Sequence, residues 1–259
     1  MPKLSIITIN YNNLEGLKRT VESVVNQTWQ QFEYIVIDGG STDGSAAYIE
    51  SQSDTIDYWV SETDKGIYNA MNKGIAKATG EYLLFLNSGD QLYSDIVLEQ
   101  NHTKIADFDL IYFNIEFTES KTSKIITYPQ KLAFSDFYLG TLCHQSTFIN
   151  KNIFNELGLY DETLKFVSDW KFFILALFKH NCSYLKVDEI LTTYYLDGIS
   201  SDLINQKMLY NERQDVLNSD FKGYVQDIIQ LFELRTIVSN LRKSRKISLF
   251  VGLGLLNKF

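Results

Sequence analysis

The sequence predicts an α/β fold with a mostly parallel central sheet, helices on both faces and a helical C-terminal extension. Three observations carry that prediction. Over the first 90 residues, short β-branched apolar runs alternate with segments of helical periodicity. The connections between them are short, as parallel β-α-β units allow. The first strands end in turns rich in Asn, Gly and Asp, and open α/β sheets bind ligands outside the carboxyl ends of their strands.

The elements follow in order. Leu4 to Ile9 (LSIITI) reads as the first central strand and ends at Asn10, Tyr11, Asn12 and Asn13, which suit a turn. A helix is predicted over 14–26, with Leu17, Val21, Val24 and Val25 inward. Tyr34 to Ile37 is the second strand, and Asp38, Gly39, Gly40 and Ser41 open its turn. A short helix over 45–51 follows, with Asp43 or Ser45 as its cap, then a short strand over 58–61. Ile67, Ala70, Met71, Gly74, Ile75 and Ala78 share one helical face. Asp64 stands ahead of that helix as an N-cap, and Gly80 is set to end it in a left-handed stop. Tyr82 to Leu86 is apolar throughout, as a strand covered on both faces should be. It leaves through Asn87, Ser88, Gly89 and Asp90, where a carboxylate could hold a metal ion and, through it, a phosphate.

Beyond Asp90 the pattern changes. A helix is expected over 96–105, a hairpin over 110–117 and 124–128, and a strand over 146–150 after Cys143 and His144. A strongly apolar helix over 170–178 follows Asp169, then two short strands, 182–187 and 191–196. Helices over 203–217 and 224–241 close the chain. The expected division is a domain over 1–200, with halves 1–100 and 101–200, and a helical extension over 201–259.

Composition narrows the function. With 45% hydrophobic and 22% charged residues, the 259-residue chain is typical of globular proteins. A net charge of -8 argues against nucleic acid as a partner. Cys143 and Cys182 form no CxxC pair and read as reduced thiols of a cytoplasmic protein. No apolar run reaches the roughly 18 residues of a membrane span. The tail from Arg235 onward holds six cations and no acid, around the apolar segment 247–256. That pattern suggests peripheral contact with the anionic inner face of the plasma membrane, or docking on protein, its own surface or a second copy.

The pieces SIITINYNN, VIDGGSTDGS, ETDKGIYNAMNKGIAKATGEYLLFLNSGD and the later SDW resemble those of the inverting nucleotide-sugar glycosyltransferases of family 2, in that family's order. The resemblance covers residues 1 to about 200 and is nearest to the bacterial colanic-acid and capsule type. It implies the Rossmann-like GT-A fold, a nucleotide-sugar donor (UDP over GDP), and a glycan or lipid-linked acceptor in surface-polysaccharide synthesis. It also implies a Mn²⁺ or Mg²⁺ cofactor.

Transfer of a sugar needs a pocket for base and ribose, a cation for the leaving diphosphate, and a base for the acceptor hydroxyl. By resemblance, Thr8, Asn10, Tyr11, Asn12 and Asp38 form the pocket, with Asp38 accepting from the base. Ser41 contacts ribose or phosphate, and Asp64 can also touch the base. The family's Asp-x-Asp reads Asn87-Ser88-Gly89-Asp90 here, which leaves Ser88 beside the donor and Asp90 as the metal-binding acid. His144 is a second candidate for the cation, and Asp169 aligns with the catalytic base. Each has a plainer reading: Asp38 as a turn-former, Tyr11 and Trp170 as packing aromatics, Ser41 as a loop hydroxyl, His144 as structural, Asp169 as a helix cap. The sequence departs from the family at Met71, where an Arg is usual, at Gly89 and at Ser168. Lys73 is the nearby cation, and Gly198 to Ser201 resembles a loop closing over the diphosphate. Two other readings compete. A sugar nucleotidyltransferase would want a Gly-rich basic loop after the first strand, where this chain has Asn-Tyr-Asn-Asn. A non-catalytic binding or scaffold protein of the same fold would tolerate the thinned acid motif. A dinucleotide dehydrogenase is weaker, because no GxGxxG follows a strand.

Overall fold

The computed structural model describes residues 2–119, 122–196 and 205–257, so the Gly198–Ser201 stretch lies outside the described residues. The first half runs β1 (Leu4–Asn10), α1 (Leu14–Val25), β2 (Phe32–Asp38), α2 (Ser45–Ser51), β3 (Tyr58–Ser61), α3 (Ile67–Lys77) and β4 (Tyr82–Phe85). The second half adds β5 (Gln91–Leu92), α4 (Val97–Asn101), β6 (Leu110–Glu119), β7 (Thr122–Ile126), α5 (Phe134–Leu139), β8 (Thr147–Asn150), α6 (Asn152–Leu157), α7 (Ser168–Phe178) and β9 (Tyr184–Tyr195). The helices α8 (Gln206–Asp220), α9 (Lys222–Lys243) and α10 (Arg245–Gly252) follow.

The sheet order is β3-β2-β1-β4-β8-β6-β9-β5, with β7 paired to β6. β1 pairs in parallel with β2 and β4, and β2 with β3. β8 then runs antiparallel to both β4 and β6. Every residue of β1 and of β4 is buried, which explains why both are rich in apolar residues. Register sets Asn10 opposite Asp38 at the carboxyl ends of β1 and β2. The backbone N–H of Ser88 bonds to the carbonyl of Ile9, so the turn after β4 lies at the same edge.

Several expectations are corrected. Gly80 is not a left-handed stop: the cap of α3 is Ala78, at φ -58° and ψ 134°. A Cβ at Gly80 would lie 2.6 Å from the backbone nitrogen of Ser5, so glycine is there for close approach of backbones. Asp64 does not cap α3, whose N-cap is Gly66. α2 is capped by Gly44 at φ 97°, while Asp43 accepts from the backbone of Ser45 and Leu14. The two strands expected over 182–196 are one, β9, irregular in register opposite Phe113 to Ile115 of β6. The helix expected over 96–105 splits into α4 and a 3-10 turn at His102–Lys104.

The chain divides into two compact units, Met1–Arg213 and Gln214–Phe259, so the first runs past the boundary expected at residue 200. In the second unit, α10 buries no residue, and Ile247 and Val251 are half-buried. It leaves Leu249, Phe250 and Leu253 exposed.

Candidate active site

The carboxyl ends of β1, β2 and β4, the start of α3 and the approach to α7 build one rim. Asp38, at the end of β2, is fully buried. Its Oδ1 accepts from Asn10 Nδ2 (2.7 Å) and Ser41 Oγ (2.6 Å). Its Oδ2 accepts from the Ser41 N–H (2.9 Å) and Ser61 Oγ (2.6 Å). Burial pushes the carboxyl up, but these donors outweigh it and hold Asp38 below the usual carboxylate range. Asp38 thereby ties together the loops after β1, β2 and β3. Ser41 does likewise, since its Oγ also accepts from the Asn12 N–H (2.7 Å). Asn12, at φ 49°, accepts from the Thr42 N–H through Oδ1 (2.8 Å). Thr8, expected at the ligand, is fully buried under the rim and shares a hydrogen bond with the Tyr34 hydroxyl (3.1 Å).

What remains open on this side is different. Tyr11 is 65% exposed. The Oδ1 of Asn10 is buried and without a partner. Asp64 uses Oδ1 to accept from the Gly66 N–H (2.9 Å). Its Oδ2 stands over Gly39: a Cβ there would meet Asp64 Oδ2 at 2.5 Å and the Tyr11 ring at 3.2 Å. The missing side chain at Gly39 is what admits the Asp64 carboxylate beside Tyr11.

The acidic corner is pinned from α1. Thr20 Oγ1 donates to the Asp90 carbonyl (2.6 Å) and accepts from the Gly89 N–H (2.9 Å). Asn13 Nδ2 holds the Ser88 carbonyl (3.0 Å). Gly89 sits at φ 110°, where an L side chain is strained. The Asp90 carboxylate is 5% exposed and accepts from Gln145 Nε2 (3.1 Å). The Oδ1 of Asn87 is buried without a partner.

His144 links this corner to Asp169. Its Nδ1 lies 2.9 Å from Asp169 Oδ2, and its Nε2 lies 3.2 Å from Asn87 Nδ2. An amide N–H₂ can only donate, so Nε2 accepts and the proton sits on Nδ1, toward the carboxylate. Both ring nitrogens thus have partners, Nδ1 on Asp169 and Nε2 on Asn87. Among the described residues no three His, Cys, Asp or Glu side chains gather as a metal cage. The Asp90 carboxylate, which also accepts from the Tyr195 N–H (3.4 Å), and the orphaned Asn87 amide oxygen are oxygen donors of the kind a hard divalent cation takes.

Asp169 opens the first turn of α7. Its Oδ1 accepts from the Tyr68 hydroxyl of α3 (2.8 Å), across 101 residues of sequence. Burial raises the carboxyl, but hydrogen bonds from His144, Tyr68 and the Trp170 backbone N–H together keep it below the usual range. Burial and the neighbouring Asp169 push the Tyr68 phenol well up, so it stays a donor. Trp170 is 1% exposed and gives its indole N–H to the Phe137 carbonyl (2.9 Å), so it is a core aromatic. Met71 is fully buried, and Lys73 pairs with Glu62 (2.8 Å).

The predicted residues Asn10, Tyr11, Asn12, Asp38, Ser41, Asp64, Ser88 and Asp90, with His144 and Asp169, lie along this rim. Sequence reasoning missed Tyr68, Gln145, Ser61, and the amide oxygen of Asn87. It also missed Arg19, whose guanidinium carbon lies 3.9 Å from the Tyr195 ring centroid. Only Gln145, next to His144, carried a local signal.

Residues 5–158 match the family model described as glycosyl transferase family 2. An uncharacterized glycosyltransferase of Mycobacterium tuberculosis is 32% identical over 205 residues, covering 77% of this chain and 78% of the relative. A PGL/p-HBAD biosynthesis glycosyltransferase of Mycobacterium bovis is 27% identical over 218 residues, covering 80% and 83%. Among solved structures, S. aureus TarS 1-349 in complex with UDP aligns with a TM-score of 0.61 at 19% identity, over 74% of this chain and 60% of that one. The mannosyltransferase PcManGT from Pyrobaculum calidifontis, in complex with GDP-Man and Mn2+, aligns at 0.59 and 13% identity, over 77% and 59%. The two structures share the fold. With the family match over most of the first unit and a 32% relative over three quarters of the chain, the protein belongs to glycosyl transferase family 2 and is a glycosyltransferase of GT-A fold.

Proposed function

We propose that this enzyme moves one sugar from a nucleotide-diphosphate donor, UDP-linked in preference to GDP-linked, to a hydroxyl of a glycan or lipid-linked acceptor, with inversion. The observation that carries this reading is the pairing of Asp169 with His144 at the rim that also holds Asp90. A buried carboxylate kept ionised is equipped to take a proton. A single displacement with one base inverts the anomeric centre, and the rim offers one carboxylate on that side. Tyr11 stacks on the base, Asp64 Oδ2 and Asn10 Oδ1 accept its N–H groups, and Ser88 lies toward the ribose. Thr8, Asp38, Ser41 and Asn12 shape the loops that present them. Asp90 with Asn87 Oδ1 would hold Mn²⁺ or Mg²⁺, which when bound neutralises charge on the departing diphosphate. The UDP complex of TarS and the GDP-Man and Mn2+ complex of PcManGT support the donor class and the cation. The relatives named for PGL/p-HBAD biosynthesis support an acceptor in glycolipid or surface-polysaccharide synthesis. Residues 1–200 would hold the catalytic domain and 201–259 an attachment device. Among the described residues no helix is long and apolar enough to cross a membrane. The exposed Leu249, Phe250 and Leu253 beside Arg242, Lys243, Arg245 and Lys246 support peripheral contact at the cytoplasmic membrane face, with self-association as the competing use.

The test is nucleoside-diphosphate release from a panel of UDP- and GDP-sugars with Mn²⁺ and membrane extract as acceptor. Asp169→Asn should lower turnover about 10²- to 10⁴-fold with donor affinity little changed. Wild-type turnover in Asp169→Asn would remove Asp169 as the base. A folded wild type that consumes no donor would favour the non-catalytic scaffold.

A further inference from the structure

Arg213 lies on α8, at the end of the first unit. Its neighbour Glu212 accepts the backbone N–H groups of Lys165 (2.8 Å) and Phe166 (3.0 Å), which ties α8 to the loop ahead of α7. The Arg213 guanidinium carbon stands 5.1 Å from the ring centroid of Trp170, the residue after Asp169. The Nε is buried and has no acceptor, and among the described residues the side chain makes neither a hydrogen bond nor an ion pair. Burial lowers its pKa, and the charge of Asp169 acts against that.

The groups around it do not satisfy it. Asp169 accepts from His144 and Tyr68, and the Arg213 Nε makes no bond to it. The Trp170 N–H is given to Phe137, so that ring offers only its face. A guanidinium is a rigid fork of donors suited to the paired oxygens of phosphate, and leaving one buried without an acceptor is costly. On α3, which passes the same carboxylate at Tyr68, the position of the family's usual Arg is the fully buried Met71, and the nearby Lys73 is held by Glu62.

We infer that Arg213 is an anion-binding residue beside Asp169 that takes the oxygens of a phosphoryl group. Resting on the reading of the chain as a nucleotide-sugar transferase, that group is either the donor's diphosphate or a phosphate carried by the acceptor. Trp170 presents the guanidinium and Glu212 keeps α8 in place.

Calorimetry on the full chain with Mg²⁺ separates the sources, using UDP, uridine and inorganic pyrophosphate as probes against wild type, Arg213→Met and Arg213→Lys. If the donor is the source, Arg213→Met binds UDP about 10- to 100-fold more weakly, as loss of a charged hydrogen bond predicts, while uridine is unaffected. Arg213→Lys, a point charge without the fork, recovers part of the loss. If the acceptor is the source, UDP binds all three proteins alike, and pyrophosphate binds the UDP-saturated wild type but not Arg213→Met. Equal binding of every probe by wild type and both variants would overturn the inference and leave Arg213 as packing on Trp170. The ligand-free melting temperature supplies a readout of that structural role: removing an unpaired buried charge should leave it unchanged or raised. Should Arg213→Met fail to fold, the same comparisons are made with Arg213→Lys, and UDP and pyrophosphate binding equal to wild type overturns the inference. A wild type that binds no nucleoside diphosphate, yet binds pyrophosphate through Arg213, would sink the transferase reading and keep this one.

Discussion

Two carboxylates at the carboxyl ends of neighbouring strands, Asp38 closing β2 and Asp64 three residues past β3, have opposite fates, and local chemistry decides which is which. Asp38 has four donors and no exposure, so it holds loops together. Its folded pKa is depressed. It therefore contributes stability that is present above the unfolded value of about 3.9 and lost as pH falls through the lower folded value. Asp38→Asn should cost about 2 kcal/mol at pH 7, because an amide nitrogen would face Ser41 or Ser61 donors. The difference from wild type should shrink as urea titrations are taken below about pH 4. Asp64 instead keeps Oδ2 unengaged above Gly39. Gly39→Ala should displace that carboxylate and weaken UDP binding about tenfold, with little change in the urea midpoint. Unchanged UDP affinity would remove Asp64 from the base pocket. The residue types at the site were legible from the sequence, but the division of labour between Asp38 and Asp64 was not. It depends on which oxygen meets which donor, and those donors come from three separate loops.

At the scale of elements, periodicity found the long ones. β1, α1, β2, α2, β3, α3 and β4 stand within a few residues of their expected bounds, because all but the half-buried β3 have one buried face or are buried throughout. In the hairpin the same holds for the start of β6, while β7 is exposed and was legible from its β-branched residues. Pieces of two to eight residues, β5, α5, α6 and α10, were missed, since a turn or two of helix has no period to read. Glycines were misread where their reason is a neighbour and not their own backbone angle. Gly80→Ala would drive a Cβ to within 2.6 Å of the Ser5 nitrogen and 2.8 Å of the Leu4 carbonyl carbon. Neither backbone atom can yield, so it should destabilise the enzyme by about 3 kcal/mol, seen as a lower urea midpoint with an unchanged slope. A wild-type midpoint would show that α3 and β1 have room to separate.

For the whole molecule, charge is the readable quantity. A chain of net charge -8 that ends in six cations and no acid is divided electrically. Deletion from Arg242 onward should lower co-sedimentation with anionic liposomes severalfold, most at low salt, and leave UDP binding intact. Equal partitioning of the two proteins, with a change of oligomeric state, would assign the tail to self-association.

The sequence by itself determined the α/β class, the order of the first seven elements and the acids and amides at the strand ends. Hydrophobic period and turn chemistry are local, so a linear reading captures them. Only the tertiary structure decided that His144 stands between Asn87 and Asp169, that Tyr68 reaches Asp169 from α3, and that Arg213 lies unpaired beside them. Those contacts join residues 25 to 101 positions apart, and the packing of α3, α7 and α8 that closes such distances leaves no period in the chain.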